Sequence, residues 1–280
     1  MSYFTEEIER LRQVPVRSEN DTLLNLTVAW GAGTTIIRII DALAEGVYNN
    51  FCPEIYIADC VNQHYEESGK FDWYPPTGWI FHWRTANLMY ASIKASGINK
   101  ENLNYVYSLR DPRDIIVSRY FSEVYSHSPP QNPEAAVAYH TRIEQMKQMG
   151  VDAWCLENFQ YVLNQYAGIR QFFSDVPSGR QLFVSYCCLV LDTPAFVRKV
   201  ANFMGSALSA EGQAALAHAE SIEHPDDNRN FLLNLHHASP VPGRFRGELA
   251  RETQTTMNEM SRDCRDWLKD IDPTYRGLYT

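Results

Sequence analysis

The chain has no apolar run long enough to span a bilayer, no Cys-x-x-Cys pair and no Gly-x-x-x-x-Gly-Lys-Ser/Thr loop. The first absence argues against a membrane-spanning helix. The N-terminal stretch MSYFTEEIERLRQ is acidic and lacks a signal-peptide core, so a cytoplasmic protein with no membrane partner is expected. The second bears on Cys52, Cys60, Cys155, Cys187, Cys188 and Cys264. None has zinc-like spacing, and the adjacent Cys187 and Cys188 suit neither a normal disulfide nor a tetrahedral metal site. Reduced, mostly buried thiols and no metal are expected. The third absence weighs against a P-loop phosphotransferase, whose loop lysine must reach the phosphates. Positive charge is also short, with 25 Lys and Arg against 34 Asp and Glu and a net charge of -9. That balance excludes broad attraction to nucleic acid, so an anionic ligand needs a local cationic pocket.

What remains is a globular composition, 45% hydrophobic and 21% charged over 280 residues. The expectation is one domain over 1–280 with a polar N-terminal arm at 1–20. TLLNLTVAW (22–30) is the continuous apolar run of a buried parallel strand, and IIRIIDAL after it reads as a helix. Further strands are expected in PEIYIA (53–58), TGWIFHW (77–83), NYVYSL (104–109) and RQLFVSY (180–186). Helices are expected in ANLMYASIKASG (86–97), in several pieces across 133–173, in PAFVRKVANFMG (194–205) and twice in the C-terminal third. Strands alternating with helices predict an α/β fold, a central parallel sheet flanked by helices. Ligands of such sheets bind beyond the carboxyl ends of the strands, where residues 31–35, His82 and Arg110 fall.

SLRDPRDIIVSRYFSE (108–123) carries the densest chemistry. Arg110 ends a strand, Asp111 can cap the next helix, and Pro112 fits its first position. The positive end of that helix, with Arg110 beside it and Ser118 further along, makes an anion pocket suited to a phosphate. WGAGTT (30–35) has the form of a second phosphate cradle, with small residues for amide approach and hydroxyls from Thr34 and Thr35. His82, at the end of a strand, has an imidazole able to take a proton from an alcohol or amine, although a lone His is often only a core residue.

The run Arg110, Asp111, Pro112, Arg113, Asp114, then Ser118 and Tyr120, resembles the 3′-phosphate motif of the PAPS-dependent sulfotransferases (PAPS is 3′-phosphoadenosine 5′-phosphosulfate). The resemblance implies a P-loop-like nucleotide-binding fold, PAPS as donor and PAP as product, with no metal. It also implies 5′-phosphosulfate contacts from Gly31, Ala32, Gly33, Thr34 and Thr35, and His82 as general base. Tyr186 matches the tyrosine near the adenine. Arg244, Arg246 and Gly247, in GRFRGEL, are similar to the loop that closes over the 3′-phosphate. Two family lysines are missing: Gly31 and Ile80 stand in their places. Sulfuryl transfer builds negative charge on the leaving phosphate, so a cation should replace them, and Arg38, Arg84 and Lys70 are candidates. Cys187 and Cys188 replace an acidic pair, and Leu249 a tryptophan.

The expected reaction moves a sulfuryl group to a hydroxyl or amine of a small-molecule acceptor, such as a natural-product intermediate. The aromatic-rich segments 65–83 and 125–154 are candidates to line its pocket. A P-loop kinase-like phosphotransferase and a non-catalytic PAP-binding protein of the same fold stay open as alternatives.

Overall fold

A computed structural model of the chain describes residues 10, 11, 13–28, 33–52, 77–84, 86, 89, 90, 93, 99–126, 129–174, 176–205 and 241–280. It contains a five-stranded sheet in which every pairing is parallel. The strands are β1 (Leu23–Thr27), β2 (Asn49–Phe51), β3 (Trp79–Trp83), β4 (Asn104–Leu109) and β5 (Gln181–Ser185), in the order β2-β3-β1-β4-β5. β1 and β3 are buried at all positions, as strands covered on both faces must be. The second strand forms at Asn49–Phe51, just before the expected 53–58, which lies outside the described residues. The chain leaves β1 toward β3 and β2, then crosses to β4 and β5 on the other side. The switch in direction therefore falls between the carboxyl ends of β1 and β4, the place where such sheets bind ligands.

Contacts divide the chain into two compact units, Met1–Leu109 with Gly168–Glu220 and Arg110–Ala167 with Ser221–Thr280. The first holds the sheet. Helix α1 (Gly33–Ala44) follows β1 and packs on β1 and β2, with Ile36, Ile39, Ile40 and Leu43 facing inward. β4 carries aromatic packing: Tyr107 lies 4.0 Å from Phe173 and 5.3 Å from Phe183, centroid to centroid. These contacts follow the strand alternation, odd residues of β4 to one face and even residues to the other.

The second unit begins with α2 (Pro112–Tyr125). Asp111 caps it by accepting the Arg113 amide, with Pro112 at its start, as the sequence implies. α3 (Pro133–Phe173), whose residues from Gly168 onward belong to the first unit, is two helices joined at Gly150, whose φ of 78° and ψ of 162° break the helical path. In the first unit, β5 leads through a Ser185 cap into α4 (Tyr186–Leu191), and α5 (Thr193–Met204) stops at Gly205. In the second, the basic stretch near the C-terminus forms one helical turn, α6 (Phe245–Glu248), rather than an open loop. Two helices follow it, α7 (Arg251–Met260) and α8 (Arg262–Ile271). Among the described residues no helix is long and apolar enough to cross a membrane.

Candidate functional site

Arg110 is 5% exposed and sits between the end of β4 and the cap of α2. Its peptide has left the sheet ladder, and one side chain satisfies both of its polar groups. The Tyr166 hydroxyl accepts the Arg110 N–H at 3.1 Å and donates to the Arg110 carbonyl oxygen. Burial raises the Tyr166 phenol well above its usual range, so the hydroxyl keeps its proton.

The α6 turn is held onto the start of α2 by Asp114. One carboxylate oxygen accepts the Gly243 amide at 2.7 Å and the other the Phe245 amide at 3.1 Å. Gly243 has φ 86°, a conformation that other residues rarely adopt, and the turn that aims Arg244 depends on it. Burial raises the Asp114 pKa, while Arg110 pulls it back down. Arg244 lies over the Phe121 ring at 4.4 Å and donates Nε–H to Glu248 at 3.1 Å. Its side chain is 7% exposed, and its Nη2 is buried without a hydrogen-bond partner. Burial lowers the Arg244 pKa, the Glu248 bond opposes this, and the like charge of Arg110 lowers it further. Two arginines thus lie near enough to the N-terminus of α2 for their charges to interact, one of them with a buried donor still to be satisfied. An oxyanion would satisfy it.

Ser118 is half-buried one turn beyond Asp114 and so on the same side of α2. Arg246 turns elsewhere, donating Nη2–H to the carbonyls of Leu278 at 3.2 Å and Thr280 at 3.5 Å, and Gly247 is exposed. Arg113 is fully buried. It donates to Asp111, to Asn258 and to the Thr280 carbonyl, and its guanidinium lies 4.0 Å from the Phe245 ring centre, so it braces the site.

In the first unit, Gly33 opens α1 directly above Thr27. A Cβ at position 33 would come within 2.8 Å of Thr27 Oγ1 and 3.9 Å of Arg84 Nε. Thr35 is half-buried, Thr34 lies in α1, and Gly31 and Ala32 fall outside the described residues. His82 is 2% exposed and beside Asn25 in the register. Asn25 Nδ2 donates to His82 Nδ1 at 2.9 Å, so Nε2 carries the ring proton and donates it to Asp41 at 2.8 Å. Both ring nitrogens are thereby engaged. Tyr186 is buried at the first position of α4, at the carboxyl end of β5.

A cavity of about 550 Å³ lined by Arg10, Leu11, Asp41, Tyr48, Asn50 and Trp79 lies against the far end of α1. Asp41 is eight residues from Gly33, ~12 Å along the helix axis, so this cavity lies toward the other end of α1 from Gly33. Of the expected acceptor segments, residues 65–76 lie outside the described residues. Lys70 is among them. No group of three or more His, Cys, Asp or Glu suited to a metal ion occurs among the described residues.

Tyr166, Asn25 and Asp41, which bond Arg110 and His82, are the neighbours that sequence reasoning missed, and the bonds of Asp114 to Gly243 and Phe245 were missed with them. Only Asp114 carried a signal, its place inside the Arg-Asp-Pro-Arg-Asp run.

Residues 88–240 match the sulfotransferase domain family. No curated protein sequence matches the chain. Among solved structures it is similar to mouse sulfotransferase SULT7A1 complexed with PAP. That match has 12% identity and a TM-score of 0.50, covering 91% of this chain and 88% of the other. Retinol dehydratase in a complex with retinol and PAP also matches, at 14% identity and TM-score 0.47, over 96% of this chain and 85% of that one.

Proposed function

The chain belongs to the sulfotransferase family, and we propose that it is a cytoplasmic enzyme that moves the sulfuryl group of PAPS to a hydroxyl or amine of a small molecule. The observation that carries this reading is the buried, unpartnered Nη2 of Arg244 beside Arg110 at the start of α2. Arg110, Arg244 and Ser118 would hold the 3′-phosphate that distinguishes PAPS from ATP. Arg246 and Gly247 belong to the same turn and support it. Gly31, Ala32, Gly33, Thr34 and Thr35 would hold the 5′-phosphosulfate with amides and hydroxyls, and Tyr186 would lie near the adenine. A natural-product intermediate remains a fitting acceptor.

His82 serves as general base through Nδ1, since its Nε2–H is committed to Asp41. The Asn25 amide must turn aside for an acceptor to reach that nitrogen. The acceptor oxygen or nitrogen attacks sulfur, its proton passes to His82, and the bond from sulfur to the 5′-phosphate oxygen breaks with its electron pair on that oxygen.

The engagement of both ring nitrogens favours one second reading, a PAP-binding protein of this fold that does not turn PAPS over. Calorimetry with PAP and a transfer assay on an acceptor panel separate the two. The enzyme reading expects His82→Ala to bind PAP as the wild type does and to lose transfer by at least about a hundredfold. Arg110→Ala and Arg244→Ala are expected to lose PAP affinity. Tight PAP binding by the wild type with no transfer to any phenol, alcohol or amine would instead support the binding protein.

A further inference from the structure

Three cations were candidates for the charge missing at Gly31 and Ile80, and the first unit separates two of them. Ile80 is fully buried on the same strand face as His82, leaving no cation at its own position. Arg38 is exposed more than one turn down α1, five residues on and so roughly 140° around the helix axis from Gly33, and it is not among the groups nearest that glycine. Arg84 lies one residue past β3, and its Nε is 3.9 Å from the point where a Cβ on Gly33 would stand. Beneath the same glycine lies Thr27 Oγ1, fully buried, without a hydrogen-bond partner and 2.8 Å from that point. The positive end of α1, an exposed guanidinium and a buried unsatisfied hydroxyl therefore meet at one glycine. Each is suited to a phosphate oxygen, and the hydroxyl is an observation independent of the helix end.

We infer that Arg84 is the catalytic cation of this chain, its guanidinium contacting the 5′-phosphate oxygen that leaves sulfur, with Gly33 keeping the approach open above Thr27. This rests on the sulfotransferase reading of the site. In the transfer step the S–O bond to the 5′-phosphate breaks and its electron pair moves onto that oxygen, where Arg84 offsets the growing charge. The acceptor forms the new bond to sulfur and releases its proton to His82. An arginine at the carboxyl end of β3 would thus do from a new position what a lysine at position 80 would have done from within the strand.

The test compares wild type, Arg84→Ala, Arg84→Lys and Arg38→Ala, with PAP and adenosine 3′-monophosphate as calorimetric probes and PAPS turnover as rate. Arg84→Ala is expected to weaken PAP by about tenfold and leave adenosine 3′-monophosphate, which has no 5′-phosphate, unchanged. Transfer should fall by about a hundredfold or more, and Arg84→Lys should recover part of both losses. Arg38→Ala, the rival position, is expected to change neither. Arg84 is exposed, so an unchanged melting temperature accompanies these results. The inference is overturned if Arg84→Ala binds PAP as the wild type does, or if it weakens both probes equally. Wild type that fails to bind PAP overturns the reading of the site itself, while intact wild-type binding and turnover with a neutral Arg84→Ala overturns only the role of Arg84.

Discussion

Single atoms carry most of the chemistry of the proposed site. Arg110 can be aimed because Tyr166 holds both polar groups of its peptide, a role that phenylalanine cannot fill. Tyr166→Phe is expected to weaken PAP by about tenfold, through two buried backbone groups left unsatisfied, and calorimetry would register it. An Arg110→Ala background should erase that effect, because the tyrosine acts through the arginine. His82 depends on Asp41 in a comparable way. The carboxylate keeps the proton on Nε2 and leaves Nδ1 as the basic nitrogen. Asp41→Asn should slow transfer by at least about tenfold while PAP affinity holds, a split that steady-state kinetics and calorimetry together resolve.

At the level of elements, the start of α2 and the turn of α6 form one device, and Asp114 is its clasp. Two amide bonds to a carboxylate at 2.7 and 3.1 Å lock the turn that presents Arg244. Asp114→Ala should cost about 3 kcal/mol in urea unfolding and should also weaken PAP, since Arg244 loses its placement. Gly243→Ala forces a side chain onto a residue with φ 86° and against Arg246, and a similar coupled loss is expected. The cysteines behave differently. Burial pushes the Cys155 thiol up to about 12, so it should resist iodoacetamide at neutral pH in the folded protein and react after unfolding, as mass spectrometry would detect.

On the scale of the whole molecule, ligand linkage gives the plainest observable. PAP at a hundred times its dissociation constant should stabilise the fold by about 2.7 kcal/mol, a rise of several degrees in melting temperature. Magnesium should be unnecessary for that rise, and ATP with magnesium should not reproduce it, because in the proposed site the Arg110 and Arg244 pair would hold a phosphate on the ribose. Arg110→Ala should abolish the shift. The chain's net charge of -9 predicts no comparable stabilisation by nucleic acid, which the same thermal assay would reveal.

Much of this was written in local patterns. The apolar run at 22–30, the capped start of α2 at Asp111 and Pro112 and the stop at Gly205 depend on neighbours in sequence, where strand burial, capping and helix breaking operate. The alternation of such segments was enough to dictate a parallel sheet, and one contiguous motif was enough to point to a phosphate. Partnerships across long stretches of chain lay beyond it: Asp114 with Gly243, Tyr166 with Arg110, Asp41 and Asn25 with His82, and Arg84 with Gly33. Periodicity states which face a side chain occupies but not which distant group meets it there. Packing alone brought those pairs together, and packing left Arg84, rather than Arg38, beside Gly33.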